Sequence, residues 1–475
     1  MGHSPLLNDQ RMQAFIRQGY VVLKPDFPPE FHACIYQRVE STIEQSGNPG
    51  NNLLPRIPEV HDILTHPTVH GALTSLLGST YFLHPHRHCH FNPPKSDGQG
   101  MHKDSWSKRH HRMRWAMAFY YPQDTPADLG PTGIVDGSHY YNDGPSHGRE
   151  TPLTGEAGTV VLVHYDLWHR ATPNLSDKKR FMLKFLFTRL DEPEQPAWQS
   201  ESGGWSSTGE PLEPLWQNVW NWQRGQPDAE VATNGSVSPL ALSDGNGDET
   251  SRFHAAYALG GARNGSVGPL ADLLRSDDPV VRRNAGYGLT AAGASATGVL
   301  VDLIADPATS DATRASALDC LANIGKPASD AVPTLGDSLT NVNPELRRAA
   351  ADALGLMKEV APLALNRLGK ALHDPDEWVS RNAALALARL GKASEPVSVD
   401  LVKALRHTNR TSVSRPPKPW NASERQWPSR RRLTFTAPMS GARSRTQLRH
   451  SEFCNKPFDR FPDGGVANPK LSLRL

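Results

Sequence analysis

At 475 residues the chain is too long for one ordinary domain, so two or three are expected. Its formal charge of +2, from 51 Lys+Arg against 49 Asp+Glu, gives no whole-surface signal for nucleic acid. Four scattered cysteines without a CxxC pair exclude a close-spaced zinc or dithiol motif. With no apolar N-terminal stretch and no run long enough to span a bilayer, a soluble cytoplasmic protein is the expectation.

Residues 1–200 are rich in aromatics, histidines and short apolar runs. GYVVLKP, residues 19–25, predicts a strand. FHACIYQRVESTIEQS, residues 31–46, predicts a helix, because Ala33, Ile35, Val39 and Ile43 recur near helical spacing. YFLHPHRHCHF (81–91), RWAMAFYYP (114–122), GTVVLVHYD (158–166) and RFMLKFLFTR (180–189) all read as extended segments. Short strands with one long N-terminal helix fit a double-stranded β-helix (jelly roll, cupin-like) better than a Rossmann sheet. No glycine-rich phosphate loop follows a strand.

Residues 201–250 form the expected Trp-containing polar linker. Trp216, Trp220 and Trp222 are expected to pack a short helix against a neighbouring domain, since exposing all three is costly at about 25 cal/mol per Å². A chain cut after residue 250 is expected to leave a folded, metal-binding domain. Residues 251–407 repeat: Leu259, Leu289, Leu321, Leu354 and Leu387 stand 30, 32, 33 and 33 residues apart. Gly293, Gly325 and Gly391 each follow an anchor by four residues, where they can end a helix, while Lys358 takes that place after Leu354. One helix pair cannot bury its apolar stripe alone, so neighbours must stack. The pattern resembles the HEAT-repeat family and implies an all-α solenoid. Residues 408–475 carry 14 Lys/Arg against 4 Asp/Glu with little periodicity, and a disordered basic tail is expected there.

The chemistry concentrates in GMHKDSW and DLWHRATPN. His102 and Asp104, two apart on an extended segment, leave the same face of the chain. With His169 they supply two imidazoles and one carboxylate, a set that takes one face of an octahedral Fe(II) and leaves the other open. Arg180 opens the next core-like strand and needs an anionic partner if its head is buried, such as a keto-acid carboxylate. Zinc accepts the same ligands, so a zinc-dependent cupin-like enzyme is one alternative. A non-catalytic scaffold acting through the repeats is another.

On these residues the first 200 positions resemble the phytanoyl-CoA dioxygenase family of Fe(II)/2-oxoglutarate oxygenases. The matches are the GYVVL strand, His102, Asp104 and His169 as iron ligands, and Arg180 at the family's interval after the distal histidine. The turn DGSH at Asp136–His139 carries aspartate where proline is usual. The resemblance implies Fe(II), 2-oxoglutarate and O2, hydroxylation of a C–H bond in a small-molecule or lipid-like substrate, and release of succinate and CO2. Asp104 argues against the halogenating branch, which needs that position vacant. Arg180 is implied to hold the far carboxylate of 2-oxoglutarate. Thr172, Asn174 and His90 are the further cosubstrate candidates, Thr172 because the family's hydroxyl position is Ala171 here. Trp106 and Trp168 are candidates to exclude water. His84, His86, His88 and His90 alternate along one strand, as pocket lining or as packing. His110 and His111, with Lys108, Arg109, Arg112 and Arg114, form a basic cluster that serves an anionic substrate or a solvated loop. The repeats suit a protein partner, which their surface does not name.

Overall fold

The computed structural model describes residues 5–406 except 106–110, 145–147, 202–203, 230, 232–236, 245–246, 263 and 358. The basic tail, Trp106, Lys108 to His110 and Lys358 lie outside the described residues.

The strands are β1 (Tyr20–Leu23), β2 (Tyr81–Asn92), β3 (Trp115–Tyr120), β4 (Thr132–Val135), β5 (Glu150–Pro152), β6 (Val160–His164), β7 (His169–Ala171) and β8 (Arg180–Arg189). They form a five-stranded sheet ordered β1-β6-β3-β8-β2 and a three-stranded sheet ordered β5-β4-β7, both antiparallel. Strand parity separates two cores. Met117, Phe119, Val161, Val163, Met182 and Leu186 of the large sheet meet Ile134 of the small one in a single buried cluster between the sheets. Their alternates Ala116, Ala118, Val160, Leu162, Phe181, Leu183, Phe185 and Phe187 pack outward into a second cluster with helices Asp9–Gln18, Pro29–Ser46 and Pro67–Leu77. Every residue of β8 is buried, because both faces of the sheet are covered. This is a double-stranded β-helix domain with several N-terminal helices rather than one.

β2 departs from a plain strand. Its register against β8 shifts between Leu83 and Arg87, around Pro85, whose missing N–H cannot join a ladder. The shift adds two residues to β2 and so keeps its parity: His88 faces Lys184 and His90 faces Met182 across the ladder, and His84 lies edge-on to Trp115 on the same inner side.

The C-terminal half is an all-α solenoid of five helix pairs among the described residues. The first helices are Glu249–Gly261, Pro279–Ala292, Asp311–Ile324, Pro344–Leu356 and Glu377–Leu390. Each begins where a side chain accepts from a first-turn N–H: Asp248, Asp278, Ser310, Asn343 and Asp376. Gly293, Gly325 and Gly391, at φ 65°, 71° and 56°, end the second, third and fifth of them. Helix contacts are tight: a Cβ on Gly355 would lie 2.5 Å from Ala386 Cα. The stretch Pro279–Ala305 is long and apolar enough to cross a membrane by length and composition, but Gly293 splits it into two helices and over half of its apolar window is buried.

The expectation of a cut-off point after residue 250 is corrected by packing. Trp216, Trp220 and Trp222 on helix Glu213–Gln223 are buried, and the outer cluster of the N-terminal domain runs through them into the repeats without interruption. The basic cluster is corrected as well. Arg112 and Arg114 are buried at this junction, Arg114 in a two-point ion pair with Glu192 at 2.7 and 2.9 Å. Arg112 and Arg114 also bond to Asn323 of the third repeat, through its carbonyl and its side-chain oxygen respectively. The guanidinium carbons of Arg112, Arg114 and Arg189 stand 5.7, 5.4 and 5.3 Å from the Trp222 ring centroid. His111 is boxed by Phe253, Tyr257 and Tyr287 of the repeats.

Candidate metal centre

The two histidines of the site are brought together by their own backbones. His102 N–H donates to His169 O at 3.0 Å and His169 N–H donates to His102 O at 2.9 Å, an isolated antiparallel bridge between distant segments. Asp104 reaches the same point, so one ligand atom from each of His102, Asp104 and His169 lies within 4.8 Å of the others. The imidazole nitrogens are assigned by their neighbours. His102 Nδ1 sits 2.9 Å from Gly100 O and His169 Nδ1 sits 2.8 Å from Leu167 O. Carbonyls only accept, so both Nδ1 atoms carry hydrogen and both Nε2 lone pairs face the shared centre. Two imidazoles and a carboxylate, in a cluster with no fourth protein ligand among the described residues, form a group that can hold a divalent metal ion and leave positions on it open.

The electrostatics suit a cation. Burial pushes the Asp104 carboxyl up, but Lys184 and His169 together outweigh it and hold the group well below the usual carboxylate range. Burial pushes His169 down to about 4, so its ring is neutral and able to ligate at neutral pH. Lys184 is the functional residue that sequence reading missed: its Nζ lies 2.7 Å from Asp104 Oδ2. The alternation of RFMLKFLFTR carried the signal, since Arg180, Met182, Lys184 and Leu186 share the inner parity of β8.

Arg180 lies on that same inner face, 1% exposed. Its Nε donates to Gly130 O at 2.8 Å. Its Nη1 and Nη2 are buried with no hydrogen-bond partner among the described residues, and a carboxylate is the group that would satisfy both. His90, close enough to feel both Lys184 and Arg180, keeps a buried Nε2 without a partner, and burial holds its ring well below the normal imidazole range. His84 and His88 are likewise pushed down by burial, to about 4.

Thr172 and Asn174 sit elsewhere than expected. Asn174 Nδ2 donates to Asn92 O and Lys178 O, while Oδ1 accepts from the N–H and hydroxyl of Ser176. All its polar capacity braces a loop. The Thr172 hydroxyl donates to Pro131 O at 2.7 Å. Trp168 is half-buried, and its Nε1 donates to Tyr141 O at 3.1 Å, which pins the segment ahead of His169. His164 lies in the core with its ring 4.7 Å from that of His139 in the DGSH turn.

Two family models match parts of the chain. Residues 15–182 match the family model described as phytanoyl-CoA dioxygenase (PhyH), and residues 299–368 match the HEAT-repeat model. Similar solved structures include the non-heme α-ketoglutarate-dependent carbocyclase SnoK from nogalamycin biosynthesis, 18% identical over 40% of this chain and 87% of that one, TM-score 0.35. EctD from S. alaskensis, solved with 2-oxoglutarate and 5-hydroxyectoine, is 18% identical over 42% and 82%, TM-score 0.35. A non-heme monooxygenase, ThoJ in complex with nickel, is 16% identical over 44% and 93%, TM-score 0.32. No curated protein matches the chain.

Proposed function

We propose that this chain, which joins a phytanoyl-CoA dioxygenase-family domain to HEAT repeats, is an Fe(II)- and 2-oxoglutarate-dependent hydroxylase. The observation that carries the reading is the pairing of a facial triad with the two unpartnered terminal nitrogens of Arg180 on the inner face of one sheet. The donor set fits iron: two imidazoles and one carboxylate would hold Fe(II) and leave part of its coordination shell open. Zinc alone has no use for Arg180.

When bound, iron, 2-oxoglutarate and O2 supply the oxidising power for C–H hydroxylation, with succinate and CO2 as co-products. The chain supplies position. His102 and His169 present Nε2 because Gly100 and Leu167 hold their Nδ1 hydrogens. Arg180 fixes the far carboxylate of the keto acid by a two-point contact. His90 lies between Arg180 and Lys184 and lines the cosubstrate's position. The packed core between the sheets backs the site, with the Phe119 ring 5.7 Å from that of His169. A small-molecule or lipid-like substrate, the class that the family resemblance implies, is the class proposed.

The test is aerobic turnover of 2-oxoglutarate by the iron-loaded full chain, with succinate measured against oxygen consumed. The expected result is iron-dependent succinate formation, coupled to a product one oxygen heavier once a substrate is supplied. Turnover by the zinc-loaded protein without any keto acid would replace this reading with the hydrolytic one.

A further inference from the structure

The inner face of β8 carries two cations, yet a keto-acid site of the kind proposed above uses only one. Lys184 stands four residues beyond Arg180, with His88 and Phe119 as its neighbours on the flanking strands. Its side chain is 6% exposed, and its Nζ is 2.7 Å from Asp104 Oδ2. The charges that face it are few. Asp104 is negative and Arg180 is positive at the far end of the same strand face. His86, His88 and His90 are lowered by burial and therefore neutral. Within this group the fixed charge sums to one positive unit before any ligand arrives.

We propose that Lys184 makes the site discriminate against a bare dication and in favour of a dication accompanied by an anionic co-ligand. This rests on the metal and keto-acid reading of the site. The argument is Coulombic. A divalent ion held by Asp104 is a near neighbour of the Lys184 ammonium, and the two repel. Like charges a few ångström apart in a protein interior change a binding constant by at least about tenfold, even at an effective dielectric near 20. The dianionic keto acid, paired at one end with Arg180, brings negative charge to the same place and relieves the repulsion. Lys184 thereby couples the two binding events, and the coupling must be reciprocal: each ligand tightens the other by the same factor. The ammonium also pairs directly with the half-buried Asp104 carboxylate. Lys184 is a positioning residue here, acting through Asp104.

The experiment is calorimetric titration of the full chain with Mn(II), with and without 2-oxoglutarate and without turnover. The variants are Lys184→Met, Lys184→Gln, which keeps a hydrogen bond to Asp104 without the charge, and Lys184→Arg. Wild type is expected to bind Mn(II) more tightly in the presence of 2-oxoglutarate. Lys184→Met should bind Mn(II) alone at least about tenfold more tightly and lose about the same factor of synergy. Lys184→Gln should behave alike if methionine disturbs the fold, and Lys184→Arg should retain the wild-type coupling. Unchanged or weaker Mn(II) affinity in folded Met and Gln variants, with synergy intact, overturns the proposal while leaving the oxygenase reading in place. Absence of Mn(II) binding in wild type removes the metal reading itself, and Mn(II) binding indifferent to 2-oxoglutarate removes the keto-acid reading, each taking this proposal with it.

Discussion

Replacing Arg180 with methionine should move stability and cosubstrate affinity in opposite directions. In the empty protein the guanidinium is 1% exposed, and burial pushes its pKa down, a sign that the charge is held at a cost. Its Nη1 and Nη2 lack hydrogen-bond partners, and each such buried donor costs about 1–3 kcal/mol. Its one bond, from Nε to Gly130 O, is backed by a second donor, because Asn92 Nδ2 reaches the same oxygen at 3.2 Å. Methionine therefore orphans nothing, removes two unmet donors and keeps most of the packing. Stability without ligand should stay level or rise by about 1–2 kcal/mol. In the loaded protein the same change deletes two charge-assisted bonds of about 1.5 kcal/mol or more each, so 2-oxoglutarate affinity should fall by about 100-fold. Urea unfolding of the ligand-free protein and the keto-acid concentration needed for half-maximal succinate release measure the two arms. A variant that is several kcal/mol less stable yet keeps its keto-acid affinity would refute the reasoning, since Arg180 would then be a structural strut.

His102→Ala and Asp104→Ala should each abolish measurable Mn(II) or Fe(II) binding in calorimetry while leaving far-UV circular dichroism unchanged; ordinary affinity in either would remove that residue from the metal site. Trp222→Ala should cost about 3–5 kcal/mol, because it empties the slot between three guanidiniums and Glu192; an unfolding midpoint like wild type would show that the junction is loosely packed. Burial pushes the Glu192 carboxyl up, but Arg114, Arg189 and Trp222 outweigh it and bring it down to about 2. A depressed carboxyl contributes stability above its unfolded value and loses it as pH falls. The junction should thus weaken between about pH 4.5 and about pH 2, by up to about 3 kcal/mol, and Glu192→Gln should flatten that limb of the pH–stability curve. A truncation ending at residue 250 should be insoluble or expanded by scattering; a compact, monomeric fragment would contradict the shared core.

The cluster of His102, Asp104 and His169 and the buried Arg180 were legible because their spacing carries chemistry: an HxD pair on an extended segment, a later histidine and a charge opening an apolar strand. The repeats were legible because Leu259 to Leu387 recur at nearly constant intervals, and Asp248 to Asp376 cap the helices in the same rhythm. Lys184 was legible in principle, by parity with Arg180, but a lysine inside an apolar run has no meaning until Asp104 is seen beside it. The basic cluster around Arg112 and Arg114 was not legible. Its partners, Glu192, Trp222 and Asn323, come from later segments, and no local pattern separates a buried guanidinium from a solvated one. Thr172 and Asn174 misled for a related reason: short polar side chains near a ligand turn as readily to the backbone that makes the turn as to anything bound there.

The reciprocal main-chain hydrogen bonds between His102 and His169 have a consequence for how a metal ion would be taken up. A small zinc module owes its shape to the metal and falls apart when stripped. Here main-chain groups already clasp the two imidazole-bearing segments together, so the cradle stands before cargo arrives. Chelation should empty it without melting it. The stripped protein should accept a fresh ion repeatedly.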